Sequence, residues 1–403
     1  MRVAYIADGR AEHARRWVRD FGQHGDAVLF LSTYPCDPIE NVDIRVLPGL
    51  FRPGNTFVKS SEQADQPKTV SLLGRLVRTL VKYGADSLIR PLWHRLSSVD
   101  VIWQARAANR ILNEFQPDLV HAHRIPNETF VLARVSHEPK ISSVWGQDFI
   151  YNCRHYSVHR WLTKWSLPRV QAMTADCQRD LELCKNFGYQ GDFRQYFPTN
   201  GGVDTQLFSM GLPSRKRPQT LIYARGYGPY LRPDTLFEAV KNLIPQFPQL
   251  CLRIIAPTSQ MDFMRSRMEH FQIPPANYKI EPFQTQQEWA KTLQSATAFV
   301  SPSVSDGTPN GMLEAMACGA IPIMGDIESV REWIDHKRNG LLFDADSVPD
   351  LMDCLSICLE DSAFADDARL ENQKLIFERC ARETVLPRIR KFYEEVVELC
   401  KQN

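Results

Sequence analysis

The stretch Ser303-Val-Ser-Asp-Gly-Thr-Pro-Asn-Gly-Met-Leu-Glu-Ala-Met-Ala-Cys-Gly-Ala320 runs from a loop into a helix and sets two carboxylates, Asp306 and Glu314, eight positions apart. Thr308 is suited to cap that helix and Pro309 to its first position. Gly319 falls where a left-handed residue ends helices. The backbone N–H groups of Asn310, Gly311 and Met312 are predicted to face outward, backed by the positive end of the helix dipole. That makes an anion site into which a diphosphate fits. A carboxylate on each side points to sugar hydroxyls as well as phosphate.

Working outward, Ala298-Phe-Val300 reads as the strand that feeds this motif, and Ile321-Pro-Ile-Met324 and Gly340-Leu-Leu-Phe343 as the strands after it. Upstream, Thr220–Ala224 and Leu250–Ile255 read as strands, Pro233–Phe247 and Gln286–Ser295 as helices. The first half shows the same alternation. Strands are predicted at Val3–Ala7, Ala27–Ser32, Asn41–Leu47, Asp118–His123 and Ile141–Trp145, with a helix from Ala11 to Gln23 that turns Trp17 and Phe21 to one face. Such alternation predicts parallel α/β sheets, whose ligands sit at the carboxyl ends of strands. His123 and the turn Trp145-Gly-Gln-Asp148 stand at such ends.

The chain has 403 residues, more than one ordinary core holds, so two domains are expected. Pro198–Gln219, rich in Pro, Gly, Lys and Arg, reads as the linker. The expected domains are 1–197, with the terminal helix 385–403 packing back on it, and 198–384. A net charge of +1 argues against a nucleic-acid partner. The ten cysteines show no zinc spacing and read as reduced thiols, with Cys354 and Cys358 packed on one helix face. No signal peptide or spanning run is read, which predicts a cytoplasmic, soluble or peripheral protein.

Val70–Ser97 breaks the pattern. Arg75, Arg78, Lys82, Arg90 and Arg95 face Asp86 alone, beside a Leu-rich face with Trp93. This reads either as a membrane-surface helix, on the inner face of the plasma membrane, or as ordinary helices packed on the sheet.

The motif with its surroundings resembles glycosyltransferase family 4. Glu314-Ala-Met-Ala-Cys-Gly319 matches the second half of that family's paired-Glu motif, and Asp306 stands where the first Glu is usual. Pro117-Asp-Leu-Val-His-Ala-His123, Gly201-Gly-Val-Asp204 with Phe208, Asn339-Gly-Leu-Leu-Phe343 and His13 with Arg16-Trp17 resemble further family elements in the expected order. The resemblance implies a GT-B fold, an α/β chain of two Rossmann-like domains with parallel sheets facing across a cleft. It also implies a retaining, metal-independent transferase that uses a UDP-sugar or GDP-sugar donor. A glycan or lipid-linked acceptor in bacterial surface polysaccharide or lipopolysaccharide synthesis is the expected partner. Two departures stand out: no Lys follows Arg225, where Arg232 is the alternative second cation, and Gly9 alone represents the usual Gly pair after the first strand.

A leaving diphosphate needs a cation and a helix N-terminus to hold its growing charge. Arg225, whose planar fork matches phosphate oxygens, takes that role, against the alternative of a surface Arg in a Gly/Pro loop. The resemblance implies that Glu314 meets the ribose hydroxyls, Asp306 the donor sugar and His123 the sugar near its reacting carbon. Gly9, Arg232, Phe283, Asn310, Gly311 and Met312 are the further donor-contact candidates, and the resemblance implies the base against Phe283–Thr285. His13 and Asp148 are weaker candidates for acceptor hydroxyls. Asp344 and Asp346 form a pair that reads as a surface helix start rather than a metal site. No metal or other cofactor is expected. The other readings left open are a metal-independent sugar-nucleotide epimerase and a non-catalytic nucleotide-sugar-binding subunit.

Overall fold

The computed structural model describes residues 1–49, 86–211, 213, 217–228 and 230–402, and the backbone alone for 86–98. Of the basic segment 70–97, residues 70–85 and all side chains therefore lie outside the described residues. The chain divides into two compact units, Met1–Gly201 with Pro387–Asn403, and Gly202–Leu386.

Among the described residues, unit 1 holds seven strands: β1 (Arg2–Ala7), β2 (Ala27–Ser32), β3 (Val42–Val46), β4 (Leu119–His123), β5 (Lys140–Val144), β6 (Ala172–Ala175) and β7 (Arg194–Tyr196). They lie in the order β3-β2-β1-β4-β5-β6-β7, every pair parallel. Val3 through Ala7 are fully buried, as expected where helices cover both faces of a parallel sheet. Helices α1 (Glu12–Gln23) and α2 (Asp86–Phe115) belong to this unit. Trp17 and Phe21 of α1 both point into the core.

The C-terminal helix, Arg382–Gln402, joins unit 1 from Pro387 onward. Tyr393 fixes it there through a buried relay. Trp17 Nε1 donates to the Tyr393 hydroxyl at 3.1 Å, which lies 2.6 Å from His121 Nδ1. His121 Nε2 is 2.7 Å from Ser143 Oγ, itself 2.6 Å from Thr174 Oγ1. The chain of partners leaves no relay donor stranded in the core, where a stranded one costs about 1–3 kcal/mol.

Unit 2 holds β8 (Thr220–Tyr223), β9 (Cys251–Ile255), β10 (Tyr278–Glu281), β11 (Ala298–Ser301), β12 (Ile321–Gly325) and β13 (Leu341–Phe343). Their order is β10-β9-β8-β11-β12-β13, again all parallel. Its helices include α3 (Pro233–Leu243), α4 (Gln286–Ser295) and α5 (Asn310–Cys318). Thr285 and Glu288 form a reciprocal capping box that starts α4. A further helix, Val348–Glu360, buries Cys354 and Cys358 on one face, and all ten cysteines are free thiols.

Strands β6, β7 and β10 are not foreseen from the sequence. Each has only three or four residues, and Arg194-Gln-Tyr196 and Tyr278-Lys-Ile-Glu281 are too polar to give an apolar run. Among the described residues, no helix is long and apolar enough to cross a membrane.

Both sheets reverse their order of growth once, between β1 and β4 in unit 1 and between β8 and β11 in unit 2. Loops diverge at such a point and leave a crevice at the carboxyl ends of the strands.

Candidate active site

In unit 2 the crevice is flanked by the loop after β8, which carries Arg225, and the loop after β11, which carries Asp306. The two side chains meet: Arg225 Nη1 lies 2.8 Å from Asp306 Oδ2. Asp306 Oδ1 accepts the Gly307 N–H at 3.0 Å, and the Ser329 hydroxyl donates to the Asp306 carbonyl at 2.8 Å. The Val304 N–H donates to the Tyr230 carbonyl at 2.9 Å and ties the two loops together. Gly226 packs under Gln260, whose Oε1 would stand 2.5 Å from a Cβ there and would have to shift.

Helix α5 begins one residue differently from the sequence expectation. Pro309 is the N-cap, extended at φ −71° and ψ 116°, and no side chain caps the helix. Thr308 instead accepts a hydrogen bond from Trp333 Nε1 at 3.0 Å, so its hydroxyl oxygen is committed to holding the loop. Nor does Met312 present its N–H, which donates to the Pro309 carbonyl at 3.0 Å in the first turn. Gly311 keeps an N–H with no acceptor among the described residues, directly beside the Phe299 ring. Gly319 ends the helix in the left-handed region at φ 75°, and a Cβ there would meet Met210 Sδ at 2.5 Å.

Glu314 is 4% exposed, and its Oε2 accepts the Trp289 indole N–H at 2.7 Å. Trp289 comes from α4, so two helices fix this carboxylate, and a buried charge demands such partners. The other expected donor contacts lie elsewhere. Arg232, left-handed at φ 45° ahead of α3, pairs with Asp346 at 2.7 Å rather than with Asp306. Phe283 is 63% exposed in the loop before α4. A cavity of 770 Å³ opens beside β12 and β13, with Val304, Asp326, Arg331 and Asp344 in its wall. Its Asp326 is already held by Arg331 at 2.5 Å. Asp344 accepts the Asp346 N–H at 3.0 Å. Among the described residues, the group placed to hold a metal is Asp176, Cys177 and Asp180 in unit 1, with Asp180 paired to Arg179 at 3.1 Å.

In unit 1, His123 is not at an open strand end but 1% exposed. Its ring is boxed by Trp17 at 5.0 Å, Tyr5 at 5.6 Å and His121 at 4.4 Å between centroids, and neither of its nitrogens has a hydrogen-bond partner among the described residues. Burial lowers its pKa to about 3, so the imidazole is neutral. Asp148 is buried too. Its Oδ2 accepts the N–H groups of Ile125 at 3.0 Å and Trp145 at 2.9 Å, a loop-clamping task that explains its position at the turn. Burial raises it to about 6 against the pull of Arg124. His13 is exposed, its ring 5.7 Å from Trp145. Gly9 has its N–H taken by Ser32 Oγ at 3.0 Å and its space taken by Cys36, whose Sγ a Cβ would meet at 2.5 Å.

Sequence reading misses Trp289, which lies 25 residues before its partner, and Glu128 and Thr33, which hydrogen-bond at 2.9 Å across 95 residues. Neither pair has a local signature.

Two family models match the chain: "Glycosyl transferases group 1" over residues 217–361, and "Glycosyl transferase 4-like" over residues 90–177. Arg225, Asp306 and Glu314 fall in the first match, His123 and Asp148 in the second. A similar characterised protein is the N,N'-diacetylbacillosaminyl-diphospho-undecaprenol alpha-1,3-N-acetylgalactosaminyltransferase of Campylobacter jejuni subsp. jejuni serotype O:2. It is 33% identical over 95 residues, 22% of this chain, and the chain spans 25% of its length. Among solved structures, sucrose-phosphate synthase from Thermosynechococcus elongatus superposes with a TM-score of 0.74 at 14% identity, over 99% of this chain and 100% of that one. Anabaena HepE in complex with UDP gives a TM-score of 0.69 at 13% identity, over 98% and 100%. At these identities the likeness is one of fold.

Proposed function

Because the chain belongs to the family 4-like glycosyltransferases of the GT-B fold, we propose that it moves a sugar from a nucleoside diphosphate donor to a glycan or lipid-linked acceptor, with retention of configuration. The observation that carries this reading is the Arg225–Asp306 pair at the order reversal of unit 2, beside the first turn of α5 and its anchored Glu314. A guanidinium held ready by a carboxylate is pre-placed for a diphosphate. When the diphosphate takes Arg225, Asp306 is released to accept a hydroxyl of the donor sugar. Glu314, oriented by Trp289, accepts from the ribose, and Phe283–Thr285 flank the base.

In the transfer the bond from the anomeric carbon to the phosphate oxygen breaks and the bond to the acceptor oxygen forms on the same face. The leaving phosphate oxygen takes the acceptor proton, so no metal and no enzyme nucleophile is invoked. Arg225 and the Gly311 N–H oppose the charge that grows on the phosphate. The UDP bound by HepE supports UDP as the nucleotide, and the undecaprenol-linked acceptor in the relative's name supports a lipid-linked glycan. Surface polysaccharide or lipopolysaccharide assembly suits such an acceptor. The basic segment 70–97 suits attachment to the inner face of the plasma membrane. Charge reversal at Arg75, Arg78 and Lys82 is expected to reduce sedimentation with anionic vesicles, and unchanged sedimentation rejects that attachment.

The direct test incubates labelled UDP- and GDP-sugars with lipid-linked and free glycan acceptors. Sugar transferred with retention supports the proposal. Epimerised donor formed without acceptor identifies an epimerase instead, and nucleotide binding with no turnover identifies a non-catalytic subunit.

A further inference from the structure

Two helices of unit 1 turn indole rings to solvent on the faces that a surface helix keeps polar. The helix Ser157–Ser166 buries His159, Leu162, Thr163 and Ser166, and its other face carries Arg160, Trp161 and Lys164. Trp161 is 63% exposed. Helix α2 turns Val99, Ile102 and Trp103 outward beside Arg106 and Arg110, with Trp103 46% exposed. The segment Arg134–Ser136 joins the two helices. Asn109 of α2 donates from Nδ2 to the Arg134 carbonyl at 3.3 Å, and its Oδ1 accepts the Ser136 N–H at 2.8 Å. The Arg134 guanidinium lies over the Trp165 ring at 4.7 Å, Arg169 over the same ring at 4.2 Å, and Arg106 over Trp103 at 5.1 Å.

The charge on this face is one-sided. Arg106, Arg110, Arg134, Arg160, Lys164 and Arg169 are all exposed. Among the described residues none of them is in an ion pair. The acids beside them are Glu114 and Glu138, and Glu138 already stands 3.6 Å from Lys140. The whole chain carries only +1, so the face is a local concentration of charge and not a sign of general basicity. Cations gathered in this way repel one another until an anionic partner faces them. Exposed indoles call for a partly apolar layer. A bilayer surface answers both demands, since Trp rings settle at headgroup depth and anionic phosphates face Arg and Lys. A single-stranded nucleic acid needs open ring faces on which bases stack, and the Trp165 ring is already covered by two guanidiniums. No described helix is long and apolar enough to cross a bilayer, so the contact belongs to its surface.

We propose that the face made by α2 from Val99 to Arg110, Arg134, and the helix Ser157–Ser166 with Arg169 docks on a bilayer that contains anionic lipid, with Trp103 and Trp161 entering the headgroup layer. In its kind of partner this rests on the membrane attachment proposed for segment 70–97. It gives that attachment a second face with residues of its own.

The test sediments the full chain with vesicles of phosphatidylcholine mixed with phosphatidylglycerol, and with vesicles of phosphatidylcholine alone. Binding is expected to the mixed vesicles and to be much weaker to the neutral ones. Brominated acyl chains in the mixed vesicles are expected to quench part of the tryptophan emission. Arg160→Glu with Lys164→Glu is expected to weaken partitioning about thirtyfold. Trp103→Ser with Trp161→Ser is expected to weaken it about tenfold and to remove that quenching. The melting temperature of each variant checks the fold, and should the tryptophan pair fail to fold, the charge pair carries the test. If reversal of Arg75, Arg78 and Lys82 abolishes sedimentation while neither pair changes it, attachment belongs to segment 70–97 and the proposal is overturned. If that reversal changes nothing while both pairs weaken binding, the attachment by 70–97 fails and this face stands. No binding to the mixed vesicles, or binding of a single-stranded RNA in their place, also overturns the proposal. UDP is expected to raise the melting temperature of every variant as in the unsubstituted chain. If UDP stabilises none of them while vesicle binding and its loss persist, the donor reading fails and this one stands.

Discussion

The two order reversals of this chain carry opposite electrostatic designs. In unit 2 the crevice keeps a partly exposed ion pair, Arg225 with Asp306, and a carboxylate, Glu314, tethered by one indole N–H. In unit 1 the groups are buried and driven toward neutrality: His123 lowered to about 3, Glu128 raised to about 7, Asp148 raised to about 6. The contrast teaches that one sheet topology offers the same crevice twice and that the side chains decide its ligand. A matched, partly exposed pair of charges can exchange partners with a diphosphate, whereas His123 and Glu128, held toward neutrality by burial, are placed to pack the turn rather than to meet solvent.

The comparison breaks most readily at Arg225. Replacing it with Ala is expected to lower kcat about 10²- to 10³-fold in a transfer assay, the effect of losing one donor to a developing oxyanion. Retained turnover would remove the charged design from unit 2. Glu314→Ala is expected to come next, weakening nucleotide binding and activity together, as the proposed ribose contact would serve both; unaltered kinetics would take Glu314 out of the site. Salt sharpens the contrast. UDP affinity is expected to fall as ionic strength rises, because screening acts on the charges that Arg225 and a diphosphate bring together.

Stability against pH gives the next effect. Glu128 has its native value raised to about 7 from 4.5, so the folded chain holds a proton that the unfolded chain releases earlier. Its contribution is present below pH 4.5 and lost as pH rises through about 7. Glu128→Gln is therefore expected to be more stable than the unsubstituted chain at pH 8 by up to roughly 3 kcal/mol, with no gain at pH 4.5. His123 runs the other way: lowered from 6.5 to about 3, it contributes stability above pH 6.5 that is lost as pH falls through about 3. Denaturant unfolding across pH reads both. A comparable effect is expected from Tyr393→Phe, which leaves Trp17 Nε1 and His121 Nδ1 without their partner, at about 1–3 kcal/mol for each group.

The sheets were legible because parallel strands buried on both faces must be near-continuous apolar runs, as at Val3–Ala7 and Ala298–Val300. The helix after Asp306 was legible from Gly319, whose left-handed backbone excludes a side chain. Its start was not, since Thr308 has a more distant partner in Trp333 that no local rule reveals. Arg225 and Asp306 could be named singly from their strand-end loops. That they touch depends on β8 and β11 being neighbours, a fact of topology. Glu128 was invisible for a stronger reason. A glutamate in a Pro-Asn-Glu-Thr turn reads as a solvated residue, and only the packing of the turn against Thr33 buries it.

The central claim is that Arg225, Asp306 and Glu314 form a nucleotide-sugar site in unit 2. The most direct measurement is the melting temperature of the full chain with UDP, GDP and ADP and their sugars, beside Arg225→Ala and Glu314→Ala. A ligand that binds only the folded state raises that temperature. The account predicts that one nucleotide and its sugar stabilise the unsubstituted chain, and that either substitution abolishes most of the rise. Equal stabilisation of all three proteins, or none by any nucleotide, would contradict it.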